Sequence, residues 1–204
     1  MKTESIALAV AGMLFGVIVG WIIGTQQAGR PSSRSQPAVQ EQTDGGAQTR
    51  QAPVLDQARV QALENVIRTD PKNAPARIQL GNAYFDAERY PDAIKWYEDA
   101  LKVDPKNVDA STDLGISYYY ANQADRALQQ FDYSLKLDPK HTKTLLNQGI
   151  VRAFGKKDLS GATASWQKLI EVAPESPEAQ AAKRAIDTMK SAHPGGTGTS
   201  PSGP

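Results

Sequence analysis

Three copies of one short motif, spaced 34 residues apart, constrain the fold of this chain more than any other feature. The motif Asp-Pro-Lys-Asn occurs at 70–73 and 104–107, and Asp-Pro-Lys-His occurs at 138–141. A fixed period of about 20 to 50 residues indicates stacked structural units, because one unit alone cannot bury its apolar face. The sequence therefore predicts a stack of repeats.

The residues between these motifs recur in the same phase. A leucine, a glycine and a tyrosine mark the first half of each unit, and an alanine, an aromatic residue and a small residue mark the second half. This pattern resembles the tetratricopeptide repeat (TPR) family, whose unit of about 34 residues is a helix–turn–helix. The resemblance implies an all-α fold, a right-handed superhelical solenoid of antiparallel helix pairs. The recurring residues are Leu80, Gly81, Tyr84, Ala93, Tyr97 and Ala100, then Leu114, Gly115, Tyr118, Ala127, Phe131 and Ser134.

The same period divides the second part of the chain into units. The third full repeat departs from the pattern, because Gln148 and Arg152 replace the leucine and the tyrosine, and one extra residue lies between Gly155 and Gly161. A terminal unit needs a polar outer face, which the last predicted helix carries. The predicted units are a half repeat at 53–73, full repeats at 74–107, 108–141 and 142–176, a capping helix at 177–190 and a disordered tail at 191–204.

A glycine stands in the middle of each predicted first helix, at Gly81, Gly115 and Gly149. Glycine at such a position costs about 1 kcal/mol relative to alanine. That cost is tolerable where the two helices of a pair cross closely, with aromatic residues around the crossing. We therefore expect each pair to cross at its glycine, against a small residue of the second helix. The expected small residues are Ala93, Ala127 and Ala162.

The segment 5–24 contains no charged residue and is mostly apolar. As a helix it would be about 30 Å long, which matches the hydrocarbon core of a bilayer. Trp21 stands near one end, where an indole suits the headgroup interface. The alternative is a cleaved signal peptide, but its apolar region is usually only about 7–15 residues long, and Gln26-Gln27-Ala28 is a poor cleavage site. We predict one transmembrane anchor at 5–24, after a short flank at 1–4.

Glycines repeat at every fourth position of this predicted anchor. Small residues at that spacing let two membrane helices approach closely, which favours a homodimer or a partner helix. The alternative is that glycine is simply common in membrane helices. The predicted packing residues are Gly12, Gly16, Gly20 and Gly24.

The charges around the anchor are nearly balanced, because Lys2 and the α-amine precede it and Arg30 and Arg34 follow it. Its very short N-terminal flank favours translocation of the rest of the chain, so we predict a single-pass protein of a bacterial inner membrane with its TPR domain in the periplasm. The segment 25–52 has too few large apolar residues to fold. As a disordered linker it would span about 30 Å.

Composition excludes several classes of function. The net charge of +1 at pH 7 is not the basic footprint of a nucleic-acid-binding protein. The chain has no cysteine and only two histidines, His141 and His193. Because no nucleophile, base or metal site can be assembled from its motifs, we expect no catalytic residue, no metal, no cofactor and no enzymatic activity.

The resemblance to the TPR family implies a concave binding surface lined by the first helix of each repeat. Few of the corresponding residues are Lys, Arg or Asn, so a grip on a partner's terminal carboxylate is not expected. An apolar groove suits a hydrophobic strand or the apolar face of a helix; the alternative is that several of these side chains pack inside the stack. The predicted groove residues are Ile78, Asn82, Phe85, Asp86, Thr112, Ile116, Tyr119, Tyr120, Leu146, Ile150 and Phe154, with Asp109, Lys143 and Ala153 at equivalent positions.

Two functions are consistent with these features. The first is a membrane-tethered scaffold or adaptor that binds a peptide or helix of a protein partner in an envelope complex. The helix around Trp166-Gln167-Lys168-Leu169 and the helix after it resemble TPR subunits of c-type cytochrome biogenesis. The second is a structural protein that forms homo-oligomers through its anchor and its repeat stack.

Overall fold

The structure is a computed structural model that describes residues 54–192, where every regular element is helical. The predicted all-α fold is confirmed there. The predicted anchor at 5–24, its glycines, the linker at 25–52 and the residues from 193 onward lie outside the described range. Between residues 54 and 192, no helix combines the length and the apolar character needed to cross a membrane. The helices are α1 (Gln57–Thr69), α2 (Ala74–Asp86), α3 (Tyr90–Val103), α4 (Val108–Tyr120), α5 (Ala124–Leu137), α6 (Thr142–Ile150), α7 (Leu159–Val172) and α8 (Pro177–Ala192).

The helices pack as three consecutive pairs, α2 with α3, α4 with α5, and α6 with α7. The second helix of each pair also packs against the first helix of the next pair. At the ends of the stack, α1 packs on α2, and α8 covers α6 and α7. Helix α8 continues to Ala192, so Ser191 and Ala192 are helical rather than part of the predicted tail.

Each mid-helix glycine lies against the second helix of its pair, and an aromatic ring of that helix faces it. A Cβ atom added to Gly81 would lie 2.6 Å from Cε1 of Tyr97. The expected alanines stand one turn before the rings and are fully buried, so they make the approach possible without facing the glycines. The glycine–ring pairs are Gly81 with Tyr97, Gly115 with Phe131 and Gly149 with Trp166.

The first helix of the third repeat absorbs the extra residue in a π-helical turn. Helix α6 continues through Val151–Gly155 with π geometry, and the Lys156 amide donates to the Val151 carbonyl at 3.1 Å. A π turn accommodates one additional residue in a helix without ending it. The following turn then resembles those of the other repeats, because Lys157 has a positive φ like Glu88 and Asn122.

Gln148, which replaces a core leucine in the third repeat, is buried. Its Nε2 donates to Asp132 at 2.8 Å, and its Oε1 accepts from the Ser165 hydroxyl at 2.8 Å. Both ends of the amide therefore have partners, which offsets the cost of burying a polar group. This explains how the third repeat keeps its helix pairing despite the departure from the pattern.

Polar side chains at the repeat boundaries fix where the first helices begin. Oδ1 of Asn107 accepts from the Ala110 amide at 2.9 Å, which is the usual bond of an asparagine N-cap. His141 occupies the same place before α6 but makes no such bond. Its Nδ1 lies 2.7 Å from the Thr144 hydroxyl and its Nε2 lies 3.2 Å from Asp109. His141 therefore connects the second and third repeats.

Candidate peptide-binding surface

The first helices α2, α4 and α6 lie side by side. The Phe85 ring at the end of α2 lies 5.4 Å from the Tyr120 ring at the end of α4. Nζ of Lys143 on α6 lies 2.5 Å from Oδ1 of Asp113 on α4. These contacts between consecutive first helices form the continuous face on which the sequence places the groove. We refer to it as the first-helix face.

Three predicted groove residues are buried inside the stack and are not accessible on this face. Thr112, Leu146 and Ile150 are 0%, 1% and 6% exposed. The Thr112 hydroxyl bonds to that of Thr144 at 2.6 Å across the two repeats. Ala153 is also buried. Position within the repeat predicted these side chains in the groove, but they are buried, and for Thr112 the contact that covers it comes from the neighbouring repeat.

The other predicted groove residues retain accessible surface. Their aromatic members on α2 and α4 lie at the C-terminal ends of these helices, whereas Asp109 and Lys143 lie at the N-terminal ends of α4 and α6. Asp86 and Asp109 are exposed, as is Phe154 in the π turn. The half-buried members of the set are Ile78, Asn82, Phe85, Ile116, Tyr119, Tyr120 and Lys143.

Four aromatic rings form one cluster at this end of the first-helix face. Tyr90 and Tyr120 stack with ring centroids 5.1 Å apart, and Phe85 packs edge-on against both at 5.3 and 5.4 Å. Tyr119 completes the cluster, 5.8 Å from Tyr120. We call these four residues the aromatic cluster. The sequence reasoning missed Tyr90, because Tyr90 begins a second helix and joins the first-helix face only through tertiary packing.

The π turn of the third repeat supports this cluster. A Cβ atom added to Gly155 would lie 3.1 Å from Cε2 of Tyr119 and 3.1 Å from Cβ of Ala124. The absence of a side chain at Gly155 therefore lets the Tyr119 ring lie against the backbone of the next repeat. The irregular turn and the aromatic cluster are parts of one packed region.

Two polar residues of the face have partners within the chain. The Tyr97 hydroxyl donates to Oδ1 of Asn82 at 2.6 Å, and Lys143 pairs with Asp113. Burial is the main cause that raises the pKa of Tyr97, and the charges of Asp113 and Asp86 raise it further. The ammonium group of Lys143 is therefore held within the stack by a carboxylate of the preceding repeat.

Two carboxylates of this face have a raised pKa. Burial raises the pKa of Asp113, although Lys143 opposes the shift. Burial likewise raises the pKa of Asp86, against the opposing charge of Arg59. The sequence reasoning missed Asp113, since its pairing partner lies 30 residues away on the next repeat. In the described part of the chain, no three His, Cys, Asp or Glu side chains are arranged to hold a metal ion.

The comparisons with known proteins give one family match, which covers part of the repeat region. Residues 81–121 match the family model described as a TPR repeat. This region runs from the middle of α2 to the end of α4 and includes all four residues of the aromatic cluster. No curated protein matches the sequence.

Solved structures share the architecture. The first TPR of Spaghetti (RPAP3), solved with the HSP90 peptide SRMEEVD, is 24% identical with a TM-score of 0.53, and the match covers 60% of this chain and 96% of that chain. The Sgt2 TPR domain from Aspergillus fumigatus is 26% identical with a TM-score of 0.54, covering 62% and 85% of the two chains. MamA is 18% identical with a TM-score of 0.53, covering 65% and 88%. These similarities show that the described domain has the TPR fold, a helical solenoid.

Proposed function

We propose that this chain is a scaffold that binds a segment of a partner protein on its first-helix face. The observation that carries the proposal is the aromatic cluster, which combines rings from two repeats at the accessible end of that face. Tyrosine is enriched among the residues that dominate binding energy at protein interfaces. The TPR neighbour solved with an HSP90 peptide shows that this fold can bind a short peptide.

We further propose that the scaffold is tethered to a membrane by residues 5–24 and works in an envelope complex. The support comes from the sequence, an uncharged apolar segment long enough to span a bilayer, followed by a segment with few large apolar residues. Tethering would keep the repeat domain within a few tens of ångströms of the bilayer. The partner would then be encountered at the membrane surface.

Protease protection in a Gram-negative host tests the tether and its orientation. We expect the full chain to fractionate with the inner membrane, and external protease to degrade the repeat domain in spheroplasts, because the domain lies on the periplasmic side. Deleting residues 5–24 should move the chain to the soluble fraction. A full chain that is soluble, or one fully protected in intact spheroplasts, would contradict this proposal.

Replacing Tyr119 and Tyr120 together by alanine tests the binding surface. We expect peptides selected from a random library on the full chain to lose at least about thirtyfold in affinity, because removing a dominant interface residue costs about 2 kcal/mol or more. Fluorescence anisotropy with a labelled selected peptide gives the affinity. The melting temperature should fall modestly, since Tyr120 also packs against Phe85 and Tyr90, so binding is measured well below the transition.

Tyr133→Ala is the matched control, because Tyr133 is an exposed tyrosine on the second helix α5. This variant should bind the selected peptides like the unmodified chain. If no peptide is enriched, or if both tyrosine variants bind equally well, the first-helix face is not the binding surface. Self-association that is lost in the Tyr119/Tyr120 variant would support homo-oligomer formation instead.

A further inference from the structure

We infer that the partner segment carries Lys or Arg beside its apolar residues, so that the first-helix face recognises a cationic peptide. This inference rests on the proposed function and specifies the partner's chemistry. It combines an apolar feature, the aromatic cluster, with the charge pattern around it.

The charge pattern of the first-helix face is acidic. The charged side chains that the first helices bring to this face are Asp86 on α2, Asp109 and Asp113 on α4, and Lys143 on α6. Three carboxylates are therefore opposed by two cations, Lys143 and the guanidinium of Arg59 on α1 that acts on Asp86, although the whole chain has a net charge of +1. The acidity is thus a local property of this face.

The single lysine of this set does not balance the carboxylates. Lys143 is held by Asp113 at 2.5 Å, while the Asp109 side chain is 77% exposed. His141 reaches Asp109 at 3.2 Å but carries a full charge only when it is protonated. Asp86 and Asp109 therefore present carboxylates on the accessible surface.

The local environment favours an additional positive charge. For both Asp86 and Asp113, burial shifts the pKa upward by more than the neighbouring cations lower it. A carboxylate in that situation is stabilised when a partner brings a cation close to it. Asp86 directly follows Phe85 of the aromatic cluster, so a bound cation would lie beside the rings, whose faces also attract cations.

The TPR neighbour solved with a peptide provides a contrast. Its peptide, SRMEEVD, contains two glutamates and an aspartate against one arginine, so its side chains are acidic on balance. Such a peptide would meet the carboxylates of this face, and the ammonium group of Lys143 is already held by Asp113. Like charges placed together across an interface suppress binding. We therefore expect the segment that this chain binds to be positively charged, unlike the acidic peptide of that neighbour.

A matched pair of synthetic peptides tests the inference on the full chain in a non-ionic detergent. Both peptides have the same leucine and phenylalanine positions, and they differ only in carrying Lys or Glu at the same remaining positions. We expect the Lys peptide to bind at least about tenfold more tightly at low salt, and the difference to shrink as added salt screens the exposed charges.

The variant Asp86→Asn with Asp109→Asn should reduce the preference to about threefold or less, because it removes the two exposed carboxylates of the face. The control variant Glu64→Gln with Glu171→Gln removes two exposed charges from α1 and α7. Neither helix is the first helix of a full repeat, so this variant should retain the full preference. Circular dichroism checks that each variant remains folded.

The outcomes separate this inference from the proposed function. Equal binding of both peptides, or tighter binding of the Glu peptide, would overturn the cationic partner and leave peptide binding intact. Failure of both peptides and of library-selected peptides to bind would overturn the proposed function itself. A change of oligomeric state in the Asp86/Asp109 variant would identify the face as a contact between copies of the chain, which also contradicts the inference.

Discussion

Replacing Gly115 by leucine is expected to destabilise the repeat domain by at least about 3 kcal/mol, because the new side chain would overpack a filled core. Even a Cβ atom at this position would lie 2.5 Å from Cε1 of Phe131. Phe131 is fully buried, so its ring has no free space into which to move. For a domain whose free energy of unfolding is about 5–15 kcal/mol, this is a large fraction of the total. Thermal denaturation followed by circular dichroism should show a melting temperature lower by roughly 10 °C.

Gln129→Leu is the matched control for this substitution, since Gln129 lies on the exposed side of α5 and the same leucine enters no packed space. Its effect should stay within about 0.5 kcal/mol, as is usual for surface substitutions. Smaller replacements at Gly115 should be graded, with alanine less harmful than leucine. A Gly115→Leu variant that melts like the unmodified chain would mean that α4 and α5 do not cross at this glycine.

Replacing Trp166 by alanine is expected to cost about 3–5 kcal/mol, as for other fully buried aromatic residues. Trp166 is the largest fully buried side chain of the described domain. Its indole ring covers Gly149, and its Nε1 donates to the Leu146 carbonyl at 3.0 Å. The substitution therefore leaves a cavity between α6 and α7 and removes a buried hydrogen bond. Chemical denaturation gives the change in the free energy of unfolding.

Two further variants separate the contributions at this position. Trp166→Phe keeps a ring but loses the bond to Leu146, so it should cost less than the alanine variant. Trp96→Ala removes the same side chain from a half-buried position on α3 and should cost less than half as much as Trp166→Ala. Equal losses for Trp96→Ala and Trp166→Ala would contradict the packing of the third repeat described above.

The helix pairing was predictable from the sequence because it depends on spacing along the chain. The period of 34 residues and the mid-helix glycines indicated where the helices pair. The identity of the group facing each glycine was not predictable, since both the alanine and the aromatic residue of the second helix are candidates. The structure places the ring there because a flat ring can lie against a backbone that lacks a Cβ atom, as Phe131 does at Gly115.

The local structure of the third repeat could not be predicted from the repeat pattern. The sequence revealed one extra residue between Gly155 and Gly161, but not how the chain accommodates it. The π turn that absorbs it depends on packing against Tyr119 of the preceding repeat, a contact between residues distant in sequence.

The binding surface was predictable only in part for a similar reason. Family positions put Phe85, Tyr119 and Tyr120 on the first helices, where the structure packs Tyr120 against both other rings. They could not reveal that Thr112 would be covered by the third repeat. Exposure depends on how closely neighbouring repeats approach, and that distance is set by packing across repeats rather than by position within one.

Hydrogen exchange of the full chain, with and without a selected peptide at saturating concentration, tests the central claim most directly. If the first-helix face of the TPR stack binds a segment of a partner protein, bound peptide should slow amide exchange in residues 78–86 of α2 and 112–120 of α4. These stretches include the parts of both helices that contribute to the aromatic cluster. Protection confined to the second helices α3 and α5, with none in α2 and α4, would contradict the claim.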